Sequence, residues 1–174
     1  AGWCLPLEPP GVLKGNMKSK LGACGCSGRA ARVLCKRWGG RHGRLPDAVV
    51  VEGPLAGGHL GFKPEEIDDP KNALEKLVPE VIAEIKPFAE ERGVDIPVIA
   101  AGGIYTGADI AKFIRLGAAG VQLGPRSVTT VECDPAMKFT QTQNDQSDET
   151  ITNTKKPVRQ PGPRTPNHIP AAAR

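Results

Sequence analysis

Aromatic side chains are scarce, with Phe, Trp and Tyr together making up 4% of the 174 residues. Long apolar runs are missing as well: none approaches the roughly 20 residues that a membrane-crossing helix requires. The N-terminus shows no succession of basic, apolar and small residues of the kind that marks a secretory signal. These absences argue against a helical membrane span and lead to the expectation of a cytoplasmic protein. What the chain holds in quantity is glycine and proline, 21 and 17 residues, which punctuate a sequence into short elements and turns.

The formal charge of +4 conceals an asymmetry. Residues 1–46 hold nine Lys and Arg against Glu8 alone, a surplus of +8 that leaves −4 for the remainder. The overall charge is therefore no argument for nucleic-acid binding. Four of the five cysteines, Cys4, Cys24, Cys26 and Cys35, fall in the same segment, which shows no repeating apolar period of helix or strand type. Residues 1–46 are accordingly expected to be irregular. Cys24-Gly25-Cys26 with Cys35 and His42 suggests zinc, but structural zinc sites space paired ligands by two to four residues. Incidental thiols and no metal are the expectation. A basic segment can hold an acidic partner or nucleic acid through salt-sensitive contacts. A non-catalytic binding or assembly module is thus one class of function, although only Trp3 and Trp38 interleave with these charges and argue little for nucleic acid.

Near Pro46 the pattern changes. Residues 47–51 (DAVVV), 96–101 (IPVIAA) and 119–123 (AGVQL) are short apolar runs that each lead into glycine, as strands buried on both faces do. Between the first two, Leu74, Leu77, Val78, Val81, Ile82, Ile85 and Phe88 recur at helical spacing. Pro79 is expected to begin a second helical piece and Pro87 to kink it. Between the second and third, Thr106 is an N-cap candidate, Ile110, Phe113 and Ile114 form the apolar stripe, and Gly117 stops the helix. The order β-α-β-α-β implies a parallel sheet, either doubly wound or part of a barrel. From about residue 135 to 174 the chain is polar and then proline-rich, and a largely irregular tail is expected.

In parallel α/β folds ligands bind where the strands end. The first strand is followed by Glu52-Gly53-Pro54-Leu55-Ala56-Gly57-Gly58-His59, the second by Gly102-Gly103-Ile104, and the third by Gly124-Pro125-Arg126. Glycines here make tight turns, and they also let a ligand approach the backbone and leave N–H groups open to a phosphate. Two successive strand ends of this kind favour the phosphate reading. His59 has no Cys or His neighbour at ligand spacing, and an imidazole with an ordinary pKa near 6.5 is suited to taking a proton at neutral pH.

DAVVVEGPLAGGHLGF, IPVIAAGGIYTGADIAKFIRLGAAGVQLG and the later Glu132-Cys133-Asp134 together resemble the FMN-dependent nitronate monooxygenases, also called 2-nitropropane dioxygenases. The resemblance spans about half of the chain. It implies a partial (β/α)₈ TIM barrel: the last three strands and their helices, residues 47–134, between irregular N- and C-terminal segments. The chain is shorter than the roughly 250 residues of a whole barrel. The resemblance further implies FMN as cofactor, held by Glu52, Gly57, Gly58, Gly102, Gly103, Gln122, Leu123, Gly124 and Pro125, with His59 as catalytic base. Small nitroalkanes or nitronates and O2 would be the reactants, and a carbonyl compound and nitrite the products. An FMN-dependent enoyl-acyl-carrier-protein reductase is the alternative, because that family is similar in the glycine-histidine loop and in AAGGI. The family commonly places Gly-Thr-Arg-Phe after its last strand, whereas this chain has Gly124-Pro125-Arg126-Ser127, and Pro125 brings no N–H. Open parallel edges are compatible with association into a homo-oligomer.

Overall fold

The computed structural model describes residues 20–57 and 61–128. The expectations for Gly58, His59 and residues 135–174 lie outside them. Four strands, β1 (Gly22–Gly25), β2 (Ala48–Glu52), β3 (Val98–Ala101) and β4 (Gly120–Gln122), form one parallel sheet in sequence order. Helices α1 (Gly28–His42), α2 (Leu74–Arg92) and α3 (Gly107–Arg115) connect them, and a short α4 (Pro125–Val128) follows β4. One core cluster gathers Ala31 and Cys35 of α1, Val78 and Val81 of α2 and Phe113 of α3 against Val49, Val51, Val98 and Ala100. All three helices therefore cover the same face of the sheet. A doubly wound sheet would reverse its strand order and carry helices on both faces. Sequential order with helices on one face is instead the arrangement of a (β/α)₈ barrel in part.

The strands alternate as a sheet facing helices on one side must. The rows Ala23–Val49–Val98 and Gly25–Val51–Ala100 are buried beneath the helices. The row Cys24–Val50–Ile99–Gly120 lies on the other face, which a closed barrel turns inward, and all four residues are half-buried.

The irregular segment expected over residues 1–46 does not hold for Gly22–His42, which form a strand and a helix of 15 residues. Ser27 caps α1 by accepting from the Ala30 N–H at 3.2 Å, and Gly43 ends the helix at φ +63°. Ala30, Ala31, Leu34, Cys35 and Trp38 are buried at the i, i+3, i+4 spacing of a helical stripe. Arg29, Arg32, Lys36, Arg37, Arg41 and His42 occupy most of the remaining positions and mask that stripe in the mean composition. Each large side chain buried in this way stabilises by about 1.5–3 kcal/mol, enough to fix a helix whose exposed face is mainly Arg and Lys.

Helix α2 runs unbroken through both prolines, contrary to the expected restart at Pro79 and kink at Pro87. Both prolines lie on the exposed face of the helix. Leu74, Leu77, Val78, Val81 and Ile85 meanwhile hold the opposite face in the core. Gly93 terminates α2 at φ +61°, with Val94 N–H reaching the Ala89 carbonyl at 3.0 Å. Helix α3 begins as the sequence suggests: Thr106 and Asp109 form a capping box. Gly117 ends it at φ +97°. Phe113 of the expected stripe is buried and Ile110 half-buried, whereas Ile114 is exposed.

Asp47 fastens β1 to β2 at the N-terminal edge of the sheet. Its N–H donates to the Leu21 carbonyl at 2.8 Å, while its carboxylate accepts from Leu21 N–H at 2.8 Å, Arg44 at 2.7 Å and Lys20 at 3.3 Å. Partial burial pushes this carboxyl upward, but the Leu21, Arg44 and Lys20 contacts outweigh it and hold the group below its ordinary value. A carboxyl depressed in the fold adds stability above its unfolded pKa, near 3.9, and loses it as pH falls through the folded value. Asp47→Asn is therefore expected to cost about 1–2 kcal/mol at pH 7, a difference that denaturant titration should find shrinking below about pH 4.

Cys35 is fully buried on α1, and burial pushes its thiol up to about 11. Among the described residues no three His, Cys, Asp or Glu stand where they could share a metal ion. In the native protein at pH 8, iodoacetamide should leave Cys35 unmodified while reaching the half-buried Cys24 and Cys26. Peptide mass spectrometry with and without denaturant checks this.

Candidate functional site

Parallel strands all end on one edge, and that geometry gathers three distant stretches of sequence. β2 ends at Glu52, β3 at Ala101 and β4 at Gln122, and the register sets these residues in a single row. Glu52 is half-buried and Gln122 exposed. Cys26 and Ser27 follow β1 at the same edge.

Beyond Glu52 the chain turns sharply onto its neighbour. Gly53 N–H donates to the Ala101 carbonyl at 2.9 Å, and Ala56 N–H returns to the Gly53 carbonyl at 3.0 Å. The turn lies on Gly102 and Gly103. A Cβ on Gly102 would come within 2.8 Å of the Ala56 nitrogen, and one on Gly103 within 2.9 Å of Leu55. Both glycines also have positive φ, +98° and +73°, a region that residues with a Cβ rarely adopt. One function of this glycine pair is thus to admit the turn that carries Gly57. Gly57 itself is exposed at the rim.

The end of β4 is more open. Gly124 is exposed, and a Cβ there would meet nothing within 4 Å. Leu123 is half-buried, and Pro125 opens α4. The Arg126 guanidinium stacks over the Tyr105 ring with its carbon 4.8 Å from the centroid, bridging the loop after β3 and the loop after β4. The Asp109 carboxylate takes the Thr106 hydroxyl at 2.7 Å, Thr106 N–H at 2.8 Å and Tyr105 N–H at 3.2 Å. These hydrogen bonds, that of the Thr106 hydroxyl foremost, hold Asp109 below the ordinary carboxylate range.

A cavity of about 250 Å³ lies between the turn after β2, the start of α2 and α3. Gly102 and Gly103 form part of its wall, but Asp68, Asp69, Glu75 and Asp109 face it against Lys112 alone. Lys112 is in turn bound by Glu75, whose pKa that hydrogen bond lowers. Such a cavity repels a phosphate, so the anion-binding potential of this edge lies toward β4.

The structure brings Glu52, Gly57, Gly102, Gly103, Gln122, Leu123, Gly124 and Pro125 to one edge, and Gly58 and His59 continue from Gly57 beyond the described residues. Sequence reasoning did not single out Tyr105 or the Glu75–Lys112 pair. Tyr105 is the one tyrosine in the chain and falls two residues after Gly103, which was the available signal. Nothing in the sequence pairs Glu75 with Lys112, because that contact depends on how α2 and α3 pack.

The nitronate monooxygenase family model matches residues 21–166, and the chain belongs to that family. A "Probable nitronate monooxygenase" of Staphylococcus saprophyticus is 34% identical over 119 residues, which is 65% of this chain and 31% of that protein. A Rhodococcus jostii protein named as a (3aS,4S,5R,7aS)-5-hydroxy-7a-methyl-1-oxo-octahydro-1H-indene-4-carboxyl-CoA dehydrogenase is 40% identical over 86 residues, 49% of this chain and 19% of that one. Among solved structures, FabK from Thermotoga maritima superposes with a TM-score of 0.56 at 32% identity, covering 82% of this chain and 37% of FabK. The nitroalkane oxidase of Streptomyces ansochromogenes superposes at 0.50 with 28% identity, covering 71% and 32%. The chain thus spans about a third or less of the curated relatives it matches. The family match begins at residue 21, just before β1, so the basic stretch is part of the family's fold from Gly22 onward.

Gly102→Ala should be costly because the new methyl meets backbone as well as an unfavourable φ. A loss of about 1–3 kcal/mol in denaturant titration is expected. Gly124→Ala, which meets open space, should lose less than half as much.

Proposed function

We propose that this chain carries the flavin-binding side of a nitronate monooxygenase-type oxidoreductase, with FMN as cofactor, small nitroalkanes or nitronates as substrates and O2 as the electron acceptor. The observation that carries the reading is the convergence of the Glu52–Gly57, Gly102–Gly103 and Gln122–Pro125 stretches on one strand-end edge in a chain of this family.

The residues present fit such a cofactor at the β4 side. Gly124 leaves open space two residues before Arg126, whose positive charge would favour a phosphate monoester. Gly57 and Gly58 would line the ring system, and Glu52 and Gln122 would offer polar contacts from the row beneath. Gly102 and Gly103 would contribute backbone on the β3 side, beneath the turn that covers them. When bound, FMN supplies the redox chemistry, passing substrate electrons on to oxygen. The protein's part is to orient the substrate and move a proton. His59, reached from the rim at Gly57, would take the α-proton of a neutral nitroalkane on an imidazole nitrogen, and donors at the strand ends would stabilise the nitronate oxygens.

The FabK likeness is compatible with a second reading, an FMN-dependent enoyl-acyl-carrier-protein reductase. That activity would consume reduced nicotinamide and an enoyl thioester and release no nitrite.

The chain, incubated with FMN and passed through gel filtration, is expected to keep a flavin absorption band and to release nitrite from a nitroalkane. His59→Ala should slow the reaction of the neutral nitroalkane on the order of 10²–10⁴-fold and largely spare that of nitronate supplied already ionised. A colourless eluate would sink the FMN reading for this chain, and equal losses on both substrates would remove His59 from the role of base.

A further inference from the structure

We propose that Cys24 and Cys26 form a redox-modification site at the rim of the strand-end edge, where exchange with a small-molecule disulfide joins their sulfurs in a reversible bridge. The inference stands apart from the flavin reading, and three observations lead to it.

The first is placement. Cys24 pairs with Val50 on the sheet face opposite the helices. Side chains alternate along a strand, so Cys26, one residue past the end of β1, returns to that face beside Glu52. Two residues of extended chain separate the two Cα atoms by about 6.6 Å, at the upper end of the roughly 4.4–6.8 Å that a disulfide spans. Cys26 lies in the bend beyond the last pair of the β1–β2 ladder, so it can close on Cys24 without breaking one.

The second is access. Cys24 and Cys26 are half-buried thiols, whereas Cys35 is fully buried on the helix-covered side and its thiol is pushed up to about 11. Exchange requires both a thiolate and an open approach, so chemistry that Cys35 refuses is available to the pair.

The third is Gly25. Its φ is not positive, and a Cβ there would meet only that of Ala30, at 3.9 Å. The dithiol form therefore makes no demand for glycine. A bridge across a single residue bends the backbone at that residue, where glycine costs least.

In the reaction one cysteine thiolate attacks a sulfur of the small disulfide, forming a mixed disulfide and expelling a thiolate. The second cysteine gives its proton to solvent and attacks its neighbour's sulfur, forming the Cys24 Sγ–Cys26 Sγ bond and expelling the second thiolate. The pair is oxidised by two electrons, and the small disulfide is reduced to two thiols that take up the two protons. A bridge near the limit of reach is strained and easily reduced, as a reversible modification needs. It would act on the rim of the candidate site and on the first turn of α1, which Ser27 caps and Glu80 holds through the Gly28 N–H.

The test equilibrates the full chain with graded ratios of oxidised to reduced glutathione, blocks with iodoacetamide and digests with trypsin. Cleavage after Lys20 and Arg29 yields Leu21–Arg29, which holds these two cysteines alone. Its mass should pass from doubly alkylated to an unalkylated form two hydrogens lighter than the dithiol, both alkyl groups being lost together, and dithiothreitol should restore them. Cys24→Ser and Cys26→Ser should instead accumulate glutathione on the cysteine that remains. Cys35, read on its own peptide, should carry no glutathione, which shows that the folded chain reacted. Gly25→Ala should raise the ratio needed for half bridging on the order of 2- to 5-fold, and an unchanged ratio would overturn the part assigned to Gly25. Glutathione held on the wild-type pair at every ratio with no bridged peptide would overturn the site, as would bridges between two copies or a pair that never reacts. A bridge that forms only where Cys35 has also reacted belongs to the unfolded chain and overturns it equally.

Discussion

The parallel register between β2 and β3 is the constraint on which the rest of the structure depends. Pairing Val49 with Val98 and Val51 with Ala100 puts four buried side chains on one face, where α2 packs, and sets the two strands to end together. A slip of one residue would turn those side chains to the other face, and it would also separate Glu52 from Ala101. The glycine turn would then no longer lie over Gly102. Burial of the core and placement of the site are therefore one event. The register is secured at both ends outside the ladder itself, by Val49 N–H to the Pro97 carbonyl at 2.9 Å and Gly53 N–H to the Ala101 carbonyl at 2.9 Å.

Helices α1 and α2 then lie side by side in the same direction, and α2 furnishes both ends of its neighbour with charge. Glu80 accepts the Gly28 N–H at 3.1 Å at the start of α1, and Arg92 donates to the Gly39 carbonyl at 3.0 Å near its end. Negative charge at the N-terminus and positive charge at the C-terminus both suit the helix dipole. Gly28 is the residue that permits the approach, since a Cβ there would come within 2.7 Å of the Glu80 carboxylate. A helix whose own first turn holds no acidic residue is in this way capped by one fifty-two residues away.

Helix α1 was nevertheless not legible in the sequence while the later elements were, although Ser27 and Gly43 bound it locally. β2, β3 and β4 announce themselves as β-branched runs ending in glycine, and α3 carries its own capping box and stop. Strand β1 reads Gly-Ala-Cys-Gly, with almost no β-forming side chain, and it is a strand because Asp47 and β2 hold it. The stripe of α1 sets Leu34 and Trp38 among the small Ala30, Ala31 and Cys35, and a dense set of basic residues conceals it. The prolines of α2 misled for the opposite reason: a strong local rule yields when both prolines lie on the exposed face and the other face is held in the core. Of the site, the glycine ends were legible as motifs. Their tertiary meaning was not, because the contact of Gly102 with Ala56 and that of Tyr105 with Arg126 arise only once two strand ends lie side by side.

The two halves of the strand-end edge therefore differ in kind. On the β2–β3 side glycine is spent on chain meeting chain: the turn covers Gly102 and Gly103, and the adjoining cavity is acidic. On the β4 side Gly124 leaves space, and Arg126, two residues further on, lies over the Tyr105 ring. An anionic ligand laid across this edge would direct its charged end toward β4. Its remainder would extend over the row of Gln122, Ala101 and Glu52 toward the loop that leads to His59. The next row down on the same face, Cys24–Val50–Ile99–Gly120, lies where a complete barrel is filled with side chains from its other strands. The charge pattern of this edge thus belongs to residues of this chain, whereas the floor beneath it belongs to the barrel as a whole.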